Sequence, residues 1–313
     1  MTGSDDLLWG VAWVILTAMV FTLPLLPGLM ELKLGRDAQP IAIDHHDNGD
    51  TDYRIKLLAP KLPALASLPD ASSWWMTDHF QVPGGTHLPA VRTDGSVTLE
   101  RDAVADMVIA ERVLQLEEGS QVTHLAHADS VITRGAVTLS GRTSAQSLVV
   151  LAAGSHAFRV AAPCIVTAPL LAAPPAPQGG ETIPLARLPQ RHDGNLELAA
   201  GQVLEGSLVV DGNLVLHDGA RVVGHIKAHG DVDLAAGASV MGAIFADGSI
   251  RCAGRNHVLG PISASHTVTL GPGTIAGSSD AQCSVSGWQL VLGPGVAVFG
   301  ALASVAGCEI EGA

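Results

Sequence analysis

An 18-residue repeat between residues 193 and 273 constrains the fold of this chain more than any other feature. Aliphatic residues and glycines both recur at this interval, and glycine accepts the positive φ angles of tight turns. A helical repeat is disfavoured, because each glycine in register would cost about 1 kcal/mol inside a helix. The repeat therefore predicts stacked coils of short β-strands. The clearest aliphatic column comprises Leu196, Leu214, Val232, Ile250 and Val268.

The repeat divides further into three six-residue units. Every sixth residue from Leu198 to Ala276 is apolar or cysteine, and many of these positions follow another aliphatic residue two places earlier. Residues two apart on a strand share a face, so each unit directs one or two aliphatic side chains inward. We predict an all-β fold, a triangular parallel β-helix (β-solenoid) with about 18 residues per coil. The predicted solenoid core comprises Leu198, Leu204, Val210, Leu216, Val222, Leu234, Val240, Cys252, Val258 and Leu270.

The rest of the chain divides around this repeat. Leu114, Ile132 and Val150 are evenly spaced at the same interval and indicate a looser solenoid stretch before the regular one. Six prolines in residues 167–190 indicate a linker or a long excursion. The predicted segments are a transmembrane helix (7–30), a juxtamembrane connector (31–94), a looser solenoid stretch (95–166), a proline-rich linker or excursion (167–192) and a regular solenoid (193–313), whose register slips around residues 278–287.

A run of 24 uncharged residues, 7–30, predicts the transmembrane helix. About 20 apolar residues suffice to span the hydrocarbon core. A secretory signal peptide fits poorly, since Asp5 and Asp6 precede the run in place of a basic region. Lys33 and Arg36 follow the run, which favours a cytoplasmic C-terminal domain. The predicted membrane-anchor residues are Trp9, Trp13, Leu16 and Phe21.

Charge and motifs exclude several function classes. The chain has 17 Lys and Arg against 30 Asp and Glu, a formal net charge of −13, which disfavours a nucleic-acid partner. We find no phosphate-binding loop, no dinucleotide fingerprint and no nucleophile elbow in the sequence. The four cysteines show no CxxC spacing. We therefore expect no nucleotide, no cofactor, no metal and no enzymatic activity, and a buried, unreactive Cys252.

One enzymatic alternative stays open. Three six-residue units per coil are also typical of hexapeptide-repeat acyltransferases, which would need a catalytic histidine at a subunit interface. His217, His225 and His229 lie in adjacent coils, at offsets that point away from the core. Separated outward histidines are more typical of a solvated surface than of a metal site. His225 and His229 are the residues that would test the alternative.

Residues 211–250, DGNLVLHDGARVVGHIKAHGDVDLAAGASVMGAIFADGSI, resemble the bactofilin family of bacterial polymer-forming cytoskeletal proteins. Residues 23–44 and 155–166 are similar to the membrane-anchored branch of that family. The resemblance implies a right-handed triangular β-helix that polymerises end to end without nucleotide. It also implies a bacterial inner-membrane location, a role in cell shape or envelope organisation, and envelope proteins as further partners. This chain is longer than a minimal bactofilin and contains two solenoid stretches with a proline-rich insert.

The end of the repeat suggests where copies of the chain would meet. The apolar pattern continues to Ile310 with no cap after it, and an uncovered solenoid end exposes unpaired strand edges. A tail or the connector could instead cap that end. Alternatives to a self-associating scaffold are a membrane-tethered acyltransferase and a binding module that does not polymerise. The predicted polymer interface is the last coil, with Leu290, Leu292, Val296, Val298 and Phe299.

Overall fold

A computed structural model of the chain describes residues 3–23, 53–69, 75–76, 78–169 and 189–312. Helix α1 spans Gly3–Thr22, helix α2 spans Tyr53–Leu58, and two short 3-10 helices span Ala59–Lys61 and Leu65–Ser67. The chain divides into two compact units, residues 1–50 and residues 51–313. The second unit is a β-solenoid of about 12 turns.

The solenoid is formed by two stretches of strands. The first stretch comprises β1 (Trp75–Met76), β2 (His79–Val82), β3 (His87–Leu88), β4 (Val91–Thr93), β5 (Ser96–Leu99), β6 (Val104–Ala110), β7 (Val113–Glu117), β8 (Gln121–Arg134), β9 (Thr138–Leu151) and β10 (His156–Thr167). The second stretch begins with β11 (Gln190–His192), β12 (Leu196–Leu198), β13 (Val203–Glu205), β14 (Leu208–Val210), β15 (Leu214–Leu216), β16 (Arg221–Val223), β17 (Ile226–Ala228), β18 (Val232–Leu234) and β19 (Ser239–Val240). It continues with β20 (Ile244–Ala246), β21 (Ile250–Cys252), β22 (His257–Val258), β23 (Ile262–Ala264), β24 (Thr267–Leu270), β25 (Ile275–Ala276), β26 (Cys283–Leu292) and β27 (Ala297–Ile310).

In the second stretch, each coil contributes three strands to three parallel ladders. Strand β12 pairs with β15, β13 with β16 and β14 with β17, and each partner lies one coil later, as Leu214 does for Leu196. Alternate residues of these strands face inward, so Leu214 and Leu216 are fully buried. The predicted coil of about 18 residues is confirmed, as are its three sides in this stretch.

The Asp-Gly-Asn corners follow from backbone contacts between coils. The side chain of Asn195 accepts a hydrogen bond from the backbone N–H of Asn213 (2.9 Å), and Asn213 accepts one from Asp231 (2.9 Å). At the same corner, a Cβ on Gly212 would overlap the backbone of the preceding coil. Short polar side chains and glycine are therefore required where one coil approaches the next.

Nine of the ten predicted core residues are buried, which confirms the inward column. Leu204 is the exception, because it is only partly buried against the core. It lies on β13 in the first coil of the second stretch, where neighbouring side chains cover it from one side alone. The predicted slip in register is also confirmed, since Ile262 pairs with Val285 rather than with Asp280, one regular coil later.

The first stretch differs from the prediction in period and in extent. Its coils are mostly one residue shorter than those of the second stretch, so Leu114 pairs with Val131 rather than with Ile132. The column drawn through Leu114, Ile132 and Val150 was therefore wrong at its first step, and Val131 is the buried residue. The parallel ladders of the solenoid also begin at His79 rather than at residue 95, which shortens the predicted connector.

The two stretches run in opposite directions along the solenoid. Strand β10, the end of the first stretch, pairs antiparallel with β27, the end of the second. Val160 lies opposite Leu302, and Ala161 lies opposite Ala301. Buried residues of both stretches form one continuous core. The predicted parallel β-solenoid is confirmed, and the antiparallel junction between the last coils of its two stretches is an additional feature that was not predicted.

Helix α1 lies in the first unit and covers most of the predicted transmembrane segment. Residues 24–30 of that segment, and residues 31–52, 70–74 and 77 of the predicted connector, lie outside the described residues. Among the residues described, no helix combines the length and the apolar character needed to cross a membrane. The transmembrane helix is thus not confirmed.

Candidate self-association surface

The last coil of the chain is not an open end of the solenoid. Leu290 and Leu292 lie on β26, which pairs with β24 on one side and with β27 on the other. Val298 lies on β27, opposite Ile165 of the first stretch. Leu290, Leu292, Val296 and Val298 are buried, and Phe299 is partly buried. The prediction that these five residues form an uncovered end was wrong, since β10 covers that coil.

Thr167 fixes the junction between the stretches through a set of buried hydrogen bonds. Its hydroxyl donates to the carbonyl of Gly293 (2.7 Å) and accepts from the N–H of Val296 (2.9 Å). Its own backbone N–H donates to the carbonyl of Val296 (3.0 Å). Because Thr167 is fully buried, water cannot replace it as the hydrogen-bond partner of Gly293 and Val296. The junction is a specific contact within the chain.

The far end of the first stretch is covered by residues that precede β2. Leu65 is fully buried in the solenoid core, and Leu68 packs against the same core. Strand β1 pairs antiparallel with β2, and Ala64 bridges to Arg92 of β4. Two of the three sides of this first coil therefore carry an additional pairing. Its inward side chains are all buried, namely Phe80, Val82, Leu88 and Val91.

Helix α2 covers a second part of the first stretch from outside. Ile55 contacts Ile109 and Leu125, which point away from the solenoid core. His127, the ladder partner of Ile109 in the next coil, is buried, and its Nδ1 lies 3.0 Å from the hydroxyl of Ser144. This packing was not predicted from the sequence, because a helix of 6 residues leaves too short a pattern to identify.

The far end of the second stretch is open among the described residues. Each strand of its first coil, β11, β12 and β13, pairs with the second coil alone. Leu196 and Leu204 are partly exposed, whereas the next residues in their columns, Leu214 and Val222, are fully buried. Val203 is 57% exposed. We call the outer edge of β11, β12 and β13 the open edge.

The open edge presents backbone hydrogen-bonding groups. Leu196 donates to the carbonyl of Asn213 (2.9 Å), and Leu198 accepts from the N–H of His217 (3.0 Å), so both face the second coil. Residues alternate between the two edges of a strand, and Glu197 between them therefore directs its N–H and carbonyl outward. The same alternation applies to Arg191, between Gln190 and His192. An unpaired edge of this kind is a template for another strand.

Charged side chains surround the open edge without covering it. The guanidinium of Arg191 donates to a carboxylate oxygen of Asp211 (2.8 Å) and lies 3.7 Å from Asp193. The hydrogen bond from Arg191 is the main reason that the pKa of Asp211 lies below its usual value. Asp211 in turn raises the pKa of Arg191. The pair of Arg191 and Asp211 ties the first coil to the second.

The histidines of the enzymatic alternative are exposed and engaged in separate contacts. Nε2 of His217 lies 3.2 Å from a carboxylate oxygen of Glu197, and Nδ1 of His229 lies 2.7 Å from one of Asp247. The N–H of Ala243 donates to Nδ1 of His225 (3.0 Å). No group of three or more metal-ligating side chains occurs in the part of the chain that the structure describes.

A shallow polar groove of about 570 Å³ lies on the first stretch. Gln81 donates to Glu100 (2.8 Å), and Arg101 donates to Glu118 (2.6 Å), so two of its carboxylates already have partners within the groove. The groove is one surface on which the binding-module alternative would rest. Its lining also includes His79, Thr98, Gln115, Glu117 and Arg134.

Three of the four cysteines are buried thiols. Burial raises the pKa of Cys252, Cys283 and Cys308 to about 12 in each case. It also raises the pKa of Cys164, which is only partly buried. The thiolate is the reactive form of cysteine, and a raised pKa keeps the thiol protonated. These side chains are therefore unreactive and pack as small apolar residues. The expected burial of Cys252 is confirmed.

The predicted membrane-anchor residues lie on α1 with exposed side chains. Trp9 and Trp13 are 72% and 70% exposed, and Leu16 and Phe21 are 60% and 72% exposed. None of these four large apolar side chains is therefore buried within the described part of the chain.

Comparison with known proteins finds no match to any family model, curated protein or solved structure. The resemblance to bactofilins accordingly remains a prediction from the sequence, as does the right-handed winding. What the structure establishes is the β-solenoid, its internal antiparallel junction and its open edge.

Proposed function

We propose that this protein is a structural scaffold without enzymatic activity, which self-associates through the end of its β-solenoid without nucleotide. The open edge of β11, β12 and β13 is the observation that carries the proposal. An exposed strand edge over partly exposed leucines stabilises a complex by completing both the backbone pairing and the core. We therefore place the proposed interface at residues 190–205 rather than at the last coil.

Membrane attachment through the N-terminal helix is the second part of the proposal. The exposed tryptophan, leucine and phenylalanine side chains of α1 support it, since large apolar side chains without a protein partner favour lipid. The orientation inferred from Lys33 and Arg36 would place the solenoid in the bacterial cytoplasm, at the inner membrane. There the resemblance to bactofilins suggests a role in cell shape or in positioning envelope proteins.

The experiment is to purify the full chain in mild detergent and to measure its mass by sedimentation in buffer without nucleotide. We expect complexes of more than one chain, with a fraction that rises with concentration. A monomer at all concentrations up to about 100 μM would contradict the scaffold, because self-association weaker than this stabilises by less than about 5.5 kcal/mol.

Membrane attachment has a separate test. The full chain is mixed with vesicles that contain anionic lipid and is floated on a density gradient. We expect it to rise with the vesicles and to resist extraction by alkaline carbonate. A matched variant with Trp9→Ser, Trp13→Ser and Phe21→Ser should remain at the bottom. Flotation of both forms alike would show that α1 is not the anchor.

The acyltransferase alternative rests on the exposed histidines of the second stretch. It predicts turnover of an acyl-coenzyme A donor that His225→Ala or His229→Ala abolishes. Both substitutions leave the core untouched, because both side chains are exposed. Turnover by the parent protein that is lost in one of these variants would support the acyltransferase and contradict the scaffold proposal.

A further inference from the structure

The solenoid has one covered end and one open end, and this asymmetry determines what self-association can build. Leu65, Ala64 and β1 cover the coil that begins the first stretch. The coil that begins the second stretch has the open edge. The two last coils meet each other at the junction inside the chain. A filament would require two open ends on every chain, whereas here the described residues show one.

We propose that self-association through the open edge stops at a two-fold symmetric dimer, in which two copies meet through residues 190–205. This inference rests on the proposed function and adds that the assembly is two-fold symmetric and contains two chains. A two-fold contact uses the same surface on both partners and leaves no surface of that kind free. The dimer would be a continuous rod of about 24 coils, on the order of 115 Å long at about 4.8 Å per coil.

The junction within the chain shows that such a contact is compatible with this fold. Across a two-fold axis, the strands of two identical coils run antiparallel. Strands β10 and β27 already pair in this way, with two shifts in register, from His156 opposite Glu309 to Val166 opposite Ala297. The same end-on contact between coils would therefore recur between two chains at the open edge.

A second copy fits this edge better than the chain's own connection does. Only another three-sided coil offers strand edges to all of β11, β12 and β13 at once. Residues 170–188, which lead to β11, contain four prolines in their sequence. Proline lacks the N–H that a strand donates, so this segment is poorly suited to complete the ladder.

The test uses Glu197, because its backbone N–H faces the open edge and makes no bond to the second coil. Glu197→Pro removes that donor and leaves the bonds of Leu196 and Leu198 to the second coil in place. Glu197→Ala is the matched control, since it removes the same carboxylate and keeps the N–H. The masses of all three full-length proteins are measured by sedimentation equilibrium in detergent, and particles are imaged by negative-stain microscopy.

We expect a dimer for the parent protein and for Glu197→Ala, and at least a tenfold weaker dimer for Glu197→Pro. If Glu197→Pro lowers the melting temperature, Val203→Asp replaces it, because Val203 is already exposed in the single chain. Open-ended filaments would keep the scaffold and overturn the dimer. A monomeric parent would overturn both. A dimer that both edge variants retain would place the contact elsewhere, for example on α1, and would overturn this inference.

Discussion

The imidazole of His156 lies against the bare Cα of Gly307, where the last coils of the two stretches meet. A Cβ on Gly307 would overlap the His156 ring, and the φ angle of Gly307 is +122°. The ring of His156 also packs edge-on against Phe158, with centroids 5.0 Å apart. Glycine at this position thus allows the second stretch to approach the first.

Gly307→Ala should destabilise the junction. The added methyl group must displace a ring that Phe158 supports, and alanine rarely adopts a φ of +122°. We expect a loss on the order of 2 kcal/mol in the free energy of unfolding, measured by urea denaturation. Gly312→Ala is the control, because its nearest contact would lie at an ordinary 3.8 Å. Equal stability of the two variants would show that the junction tolerates a side chain.

Thr167→Val tests the polar part of the same junction. Valine keeps the shape of threonine but leaves the carbonyl of Gly293 and the N–H of Val296 without their partner. We expect the free energy of unfolding to fall by about 2 kcal/mol, because buried polar groups would lose their hydrogen bonds. Thr269→Val on β24 removes a hydroxyl from an outward position and should cost much less. A similar cost for both would mean that the junction bonds add nothing.

The period of the repeat made the second stretch predictable from sequence. Six-residue spacing identified the inward residues, and Leu204 deviates only because it lies in the coil beside the open edge. The inward residues of the first stretch were harder to predict, since its coils are shorter. Val131 therefore takes the inward position that the 18-residue interval had assigned to Ile132. A single-residue change in period moves every later side chain to the other face of the strand.

The direction in which the stretches meet could not be predicted. A repeat reports how one coil follows the next, but contacts between Thr167 and Gly293 join residues that are 126 positions apart. Such a pairing leaves no periodic pattern in either segment. The predicted interface at Leu290 and Phe299 failed for this reason, because the end of the chain was taken for the end of the solenoid.

The buried cysteines give a test of the core that does not depend on assembly. We expect an aromatic disulfide reagent to label Cys164 slowly at pH 8, and to leave Cys252, Cys283 and Cys308 unlabelled until the protein is unfolded. Their pKa values of about 12 leave almost no thiolate at that pH. All four should react in denaturant. Rapid labelling of more than one thiol in the native protein would contradict the described packing.

The pair of Arg191 and Asp211 predicts how the first coil of the second stretch responds to acid. The hydrogen bond from Arg191 lowers the pKa of Asp211 below its unfolded value, so ionised Asp211 stabilises the fold above about pH 4. That stabilisation is lost as the pH falls through the lowered pKa. Arg191→Ala should therefore reduce the melting temperature slightly at pH 7 and have no effect near pH 2. Arg251→Ala removes the same charge from an exposed position on β21 and should lack this pH dependence. An effect of Arg191→Ala that persists unchanged at pH 2 would show that the guanidinium acts through packing rather than through Asp211.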